Sequence, residues 1–229
     1  MDRSEFDAYA ASYDRDLARG LALTGEGKGY YARRRLEILA TWLGRLGFAA
    51  RSVLDFGCGI GDTAPLFRAV LGSERVLGVD PSAESIARAR TESAGPGIEF
   101  ATTAELEPGG SHDLAFVNGV FHHIPPAERL GAIGLVRRAL RPGGLLALWE
   151  NNPWNPGTRL IMRRVAFDRD AIMLSAPETR RLLQAGGFEI VGTAFAFVFP
   201  RPLAWLRGLE PLVSGLPLGG QYLVLGRAP

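Results

Sequence analysis

From Arg51 onward the chain alternates short apolar runs with amphipathic stretches of helical length, and this alternation limits its fold more than any other feature. RSVLDFG reads as a buried strand and TAPLFRAVL as a helix; RVLGVD and SAESIARARTESA repeat the pair. GIEFAT and HDLAFVNG are further strands, PAERLGAIGLVRRAL is a helix, and GGLLALWE is another strand. Repeats of this kind make βαβ units, which require a parallel sheet with right-handed crossovers. Runs such as LAFV and LLALW lack polar alternation, as strands covered on both faces do. Residues 152–175 break the rhythm and form an insert. SAPETRRLLQAGGF is then a capped helix with a glycine stop, 189–199 a long strand, 201–219 a proline-rich excursion with a helical piece, and QYLVLGRA a last strand. The expectation is an α/β, doubly wound sheet of seven strands, mostly parallel, with the last strand inserted antiparallel beside its predecessor and helices on both faces.

Composition narrows the class. A chain of 229 residues, 47% hydrophobic and 22% charged, can bury a full core as one domain without staples. The formal net charge of +2 is too mild to make nucleic acid a main partner. The basic residues are almost all arginine, Lys28 being the only lysine, which fits a bacterial genomic base bias better than a binding patch. Cys58 is the sole cysteine, so an internal disulfide and a thiolate metal cluster are both excluded. The opening MDRSEFDAYAASYDRD has no apolar core of a secretory signal, and no apolar run reaches about 18 residues. The expectation is a cytoplasmic chain without a transmembrane segment, a monomer or homodimer. Its parts are an N-terminal helical cap (1–48), a ligand-binding core (50–150), and a substrate-side insert with the C-terminal strands (151–229).

The stretch VLDFGCGIGDTAPLF, residues 53–67, places Gly57, Gly59 and Gly61 between the first strand and the first helix. Such a turn lets backbone approach a ligand closely and presents helix N-terminal N–H groups. In an open parallel sheet, ligands sit at the carboxyl ends of the strands near the topological switch point. The dinucleotide fingerprint is G-x-G-x-x-G/A, and here Asp62 stands where its third glycine falls. A carboxylate in that first turn opposes a pyrophosphate, and no G-K-[ST] follows to make a P-loop. Asp55 suits a ligand with a positive amine. Asp80, about 20 residues past the turn, is placed to hydrogen-bond two ribose hydroxyls. A nucleoside with a cationic amino-acid tail and no phosphate fits both acids, and S-adenosylmethionine is such a molecule.

These motifs resemble those of class I S-adenosylmethionine-dependent methyltransferases, in the broad group that includes quinone C-methyltransferases. VLDFGCGIG resembles the family's first motif, VLGVDPSAESIARAR the second, HDLAFVNGVFHHIPP the fourth-strand motif and LRPGGLLALWE the fifth. The resemblance covers roughly residues 50–150. It implies a Rossmann-like fold and an enzyme that transfers a methyl group by in-line displacement to a small-molecule acceptor, apolar, aromatic or lipid-like. O-, N- and C-methylation stay open. The implied cofactor site comprises Asp55, Gly57, Cys58, Gly59, Gly61, Asp80, Pro81, Thr102, Thr103, Asn118 and Gly119, with Tyr9 or Tyr13 of the N-terminal segment closing over it. One departure stands out. The family often has an aspartate after the third strand for the adenine amino group, whereas EFATTAELEP offers Thr102 or Thr103, with Glu105 following. The rival reading from another class is a cofactor-binding fold without catalysis, serving as a partner or sensor.

Other residues carry paired readings. His122 and His123 either reach the transfer site, where one takes a proton or orients the acceptor, or serve local packing. His123 is preferred, because Phe121 and His123 share a side if the segment is extended. A metal site built from the two histidines with Asp113 and Glu150 is not expected, since adjacent residues rarely converge on one ion; no metal is assigned. WENNPWNPG at the end of the fifth strand is either a plain turn or a substrate-lining loop. In the second case Glu150 is a candidate base, Asn151 a polar contact and Trp154 an apolar wall. Arg33, Arg34 and Arg35 cannot share one helix face; one of them can meet an anionic substrate or the cofactor carboxylate. No lysine lies near any motif in the sequence, which argues against a lysine base. The leucine-rich 201–219 is a lid packed on the core or a peripheral lipid contact, the lid being preferred.

Overall fold

The computed structural model describes residues 20–21, 24–165, 168 and 171–229. Tyr9 and Tyr13, and with them the first part of the expected cap, lie outside the described residues. Helix α1, Lys28–Arg45, buries Leu36, Leu39 and Leu43, a stripe at helical spacing. The strands are β1 (Ser52–Phe56), β2 (Arg75–Asp80), β3 (Ile98–Thr102), β4 (His112–Asn118), β5 (Leu140–Asn151), β6 (Glu189–Ala196) and β7 (Gln221–Arg227). They form one sheet in the order β3-β2-β1-β4-β5-β7-β6. The first five run parallel, and β7 lies antiparallel between β5 and β6. This is the expected Rossmann-like architecture. Strand order reverses between β1 and β4, which leaves a crevice above their carboxyl ends.

The helices between strands are α2 (Ala64–Leu66), α3 (Ala83–Glu92), α4 (Arg129–Ala139), α5 (Pro156–Arg164) and α6 (Ala176–Ala185). Side chains of α4 and α6, such as Ile133 and Leu183, form a core with one sheet face. Those of α1 and α3, such as Leu36, Leu39 and Ile86, form a second core with the other. Helix α6 begins in a reciprocal capping box between Ser175 and Glu178, as its sequence indicates. The expected helix over 63–71 differs. Only Ala64–Leu66 is α-helical, and a π-helical turn follows over Phe67–Leu71. There Phe67 is fully buried, edge-on to Phe116 at 5.2 Å. Strand β6 is also shorter than expected. Phe197 takes φ +65°, a left-handed conformation that cannot continue a strand, and its ring packs 4.9 Å from Tyr31.

Two readings of the C-terminal half are corrected by packing. The excursion over Arg201–Leu209 and α7 (Glu210–Val213) does not lay its apolar side chains on the core: Trp205 is 78% and Leu212 81% exposed. A buried carboxylate anchors it instead. Glu210 Oε1 accepts from the backbone N–H groups of Val198 and Phe199 at 2.9 and 3.2 Å. Trp154 is 53% exposed and forms no wall. The ordering residue of that loop is Asn152, fully buried. Its Nδ2 donates to the carbonyls of Pro217 and Gly219 at 3.0 and 2.8 Å, and its Oδ1 accepts from Trp154 N–H at 3.1 Å.

Asn152→Ala therefore leaves two carbonyls and one N–H without their partner. It should lower unfolding stability in urea by about 2–3 kcal/mol with little change in the slope of the transition.

Candidate active site

The glycine turn folds back over the end of β2. Gly57 and Cys58 N–H both donate to Val79 O, at 2.8 and 3.0 Å, and Gly59 N–H donates to Asp80 Oδ2 at 2.9 Å. The other oxygen of Asp80 accepts from Ser82 N–H at 3.0 Å. The glycines do not do the same work. A Cβ at Gly57 would lie 2.3 Å from Val120, and one at Gly61 would lie 2.6 Å from the Phe100 ring. At Gly59, φ is +54° and a Cβ would meet nothing within 4 Å, so here the backbone faces open space.

Beside the turn lies a buried acid. Asp55 on β1 is 3% exposed, and its Oδ2 has no hydrogen-bond partner among the described residues. Burial, then the charge of Asp80, pushes its pKa up to about 7, with Arg35 acting against both. Asn118, at the carboxyl end of β4, likewise presents a buried and unpartnered Oδ1. Cys58 is no nucleophile: burial, with Asp55 and Asp80 adding to it, pushes its thiol well above the ordinary range.

These groups open into a cavity of about 1420 Å³. Asp55, Gly59, Asp80, Pro81, Thr103 and Asn118 line it at the strand ends, as do Gly57, Cys58 and Gly119. Tyr31, Ile161, Met162, Val165, Phe197 and Phe199 add an apolar wall, and Arg33, Arg35 and Arg207 add positive charge. Gly61 and Thr102 do not line it. Thr102 instead donates its N–H and hydroxyl to Glu105 Oε2, at 2.6 and 2.9 Å. Arg35 is the buried member of the arginine run, its Nε donating to Gln221 Oε1 at 3.0 Å. The sole lysine is not remote from the motifs in space, since Lys28 Nζ lies 2.7 Å from Asp62 Oδ2 beside the turn.

The histidine pair is arranged differently from expectation. Residues 120–124 form a turn, with His123 N–H on Val120 O at 3.0 Å, so the segment is not extended. Phe121 enters the core, while His122 and His123 both line the cavity. Their Nε2 atoms each lie 3.3 Å from Asp168 Oδ1, so adjacent histidines do converge. Glu150 is 1% exposed and does not line the cavity. Its Oε1 accepts from Phe121 N–H at 2.7 Å, and its Oε2 lies 2.6 Å from His122 Nδ1. Glu150 thus positions His122 rather than facing an acceptor; of that loop, Asn151 reaches the cavity. Burial disfavours a charged His122, but Glu150 and Asp168 outweigh it and push its pKa up to about 10. Asp113 takes no part. It lies at the start of β4, held by Arg141 Nε at 2.6 Å and Ser52 N–H at 2.9 Å.

Comparison with known proteins gives this geometry its family. Residues 53–144 match the methyltransferase domain family. The chain is 30% identical over 168 residues to trans-aconitate 2-methyltransferase of Rhodopseudomonas palustris, covering 73% of this chain and 59% of that protein. It is 37% identical over 137 residues to the Methylobacterium nodulans protein of the same name, covering 59% and 52%. The chain thus spans less than two thirds of the length of these two relatives. Its fold is similar to that of magnesium protoporphyrin IX methyltransferase from Synechocystis with bound SAH, at TM-score 0.65, 18% identity and full coverage of both chains. Residues 53–144 are a methyltransferase domain, similar to that of class I S-adenosylmethionine-dependent enzymes.

S-adenosylmethionine is the cofactor of the enzymes that this domain resembles, and the site's unpartnered acceptors suit it. Two buried carbonyl or carboxylate oxygens and a bare glycine backbone are the complement of a ligand rich in N–H and O–H donors. Sequence reasoning missed Asp168 and Lys28. Asp168 lies in the insert, 46 residues beyond His122, and no spacing links the two.

Asp55→Asn tests the buried charge. The folded-state pKa of Asp55 is raised to about 7 from 3.8, so its ionisation costs folding stability progressively as pH rises between those values. The ligand-free variant should be more stable than the parent by a few kcal/mol at pH 8, and the gain should fade toward pH 4 in chemical denaturation.

Proposed function

We propose that the chain transfers a methyl group from S-adenosylmethionine to an oxygen of a small acceptor with an apolar or aromatic body and an anionic group. The observation that carries this reading is one cavity holding both the unpartnered Asp55 with Asp80 and a second, arginine-bearing apolar region. Its volume, about 1420 Å³, exceeds the roughly 300–1,000 Å³ of a single-ligand pocket. The relatives named trans-aconitate 2-methyltransferase support an acidic acceptor.

In this reading Asp80 accepts from the ribose hydroxyls, Asp55 faces the ammonium of the methionyl group, and Arg35 its carboxylate. Thr103 serves the adenine end. The bound cofactor supplies a methyl group on a sulfonium, with a neutral thioether as leaving group. The chain's own work is alignment and exclusion of water. Tyr31, Phe197 and Met162 enclose the acceptor, Arg33 and Arg207 offset its charge, and an ionised carboxylate acceptor needs no general base. His122, held as a cation between two carboxylates, is poorly suited to accept a proton at neutral pH.

Two measurements check this. Asp80→Ala should abolish calorimetric binding of S-adenosylmethionine, and unchanged affinity would remove the ribose assignment. With methyl-labelled cofactor and a panel of small carboxylic, phenolic and amine acceptors, label should appear on an acid. Arg33→Ala should then raise the acceptor KM about tenfold with kcat nearly kept, the pattern of lost uniform binding. Label on amines alone would overturn the acceptor class.

A further inference from the structure

We propose that His122, His123 and Asp168 form a binding site for a divalent first-row transition ion such as Zn²⁺, set in the wall of the acceptor cavity. The use made of the ion rests on the methyltransferase reading; its binding does not.

The spacing fits. Zinc binds nitrogen at about 2.0–2.1 Å and carboxylate oxygen at about 2.0–2.2 Å, so tetrahedral ligands stand roughly 3.3 Å apart. Asp168 Oδ1 lies 3.3 Å from His122 Nε2 and 3.3 Å from His123 Nε2. One ligand atom from each of the three residues falls within 4.8 Å of the others. The support fits as well. Glu150, buried on β5, lies 2.6 Å from His122 Nδ1 and leaves Nε2 as the ligating nitrogen, the carboxylate–histidine arrangement behind many metal sites. A ring N–H donating to the carboxylate, or a metal ion bound by both, can hold ring nitrogen and carboxylate oxygen at such distances. Two imidazoles and one carboxylate form a donor set for zinc, cobalt or iron rather than magnesium or calcium.

All three residues line the cavity, and three protein ligands leave a tetrahedral ion one further position. A carboxylate or hydroxyl oxygen of the acceptor takes that position in place of water. The ion anchors the acceptor's anionic group and, for a hydroxyl, favours loss of its proton.

The test uses the full chain, free of any polyhistidine tag, stripped with a chelator and titrated with Co²⁺ while visible ligand-field absorption is followed. The expected result is saturation at one equivalent and displacement by equimolar Zn²⁺. His123→Ala and Asp168→Asn should weaken Co²⁺ binding by more than tenfold, and Glu150→Gln by about 10–100-fold. Asp168→Glu, which keeps the carboxylate, should retain more affinity than Asp168→Asn. Calorimetric S-adenosylmethionine binding, unchanged in the same variants, shows that they are folded. Absence of a saturable band in the parent chain, or parental Co²⁺ affinity in both ligand variants, overturns the proposal. A parent chain that binds Co²⁺ but not S-adenosylmethionine leaves the metal site standing and removes the methyltransferase reading; the converse result does the reverse.

Discussion

A buried carboxylate with one oxygen left without a hydrogen bond among the described residues is the constraint around which the ligand end of this protein is arranged. Asp55 sits buried in β1, beside Asp80 at the end of β2, and the opposing charge of Arg35 does not outweigh burial and Asp80. Such an arrangement destabilises the chain on its own. Its surroundings are fixed: the turn is tied to Val79, Gly59 N–H is committed to Asp80, and strand order reverses between β1 and β4. Protonation of Asp55 lowers this cost, and so would a ligand that brings positive charge and donors to that spot.

The histidine side of the cavity is organised on the opposite principle. There the carboxylates are saturated: Glu150 is used at both oxygens, and Asp168 meets two histidines. This cluster joins β5, the turn after β4 and the insert, so its geometry fixes how the insert meets the cavity. The two ends thus divide the labour, one poised to take up charge and the other already balanced.

The division also explains what the sequence could tell. The strands and the residues that line the cavity at their carboxyl ends were legible because each lies within a few residues of a strand terminus, and strand ends are readable from apolar runs and glycines. Asp55, Gly59, Asp80 and Asn118 all lie where the motifs put them. Other contacts join residues far apart in the chain, Lys28 with Asp62 beside the turn and His122 with Asp168 in the histidine cluster, and no periodicity encodes them. The errors have the same origin. Glu150 and Trp154 stand at a strand's carboxyl end, yet one turns into the protein and the other out to solvent. The leucines of 201–219 have helical spacing, but the segment is held by the buried Glu210, so their pattern did not predict burial.

Lys28 gives the molecule a property unrelated to catalysis. It is the only lysine in the chain, and its ammonium sits against Asp62 at the cavity, with 40% of the side chain exposed. Reagents that acylate or reductively alkylate ε-amines therefore meet a single target. A dye placed there would report on the entrance to the site, and attachment to a solid support through that amine would turn the entrance toward the surface. Surface coupling of this protein is better directed to another side chain.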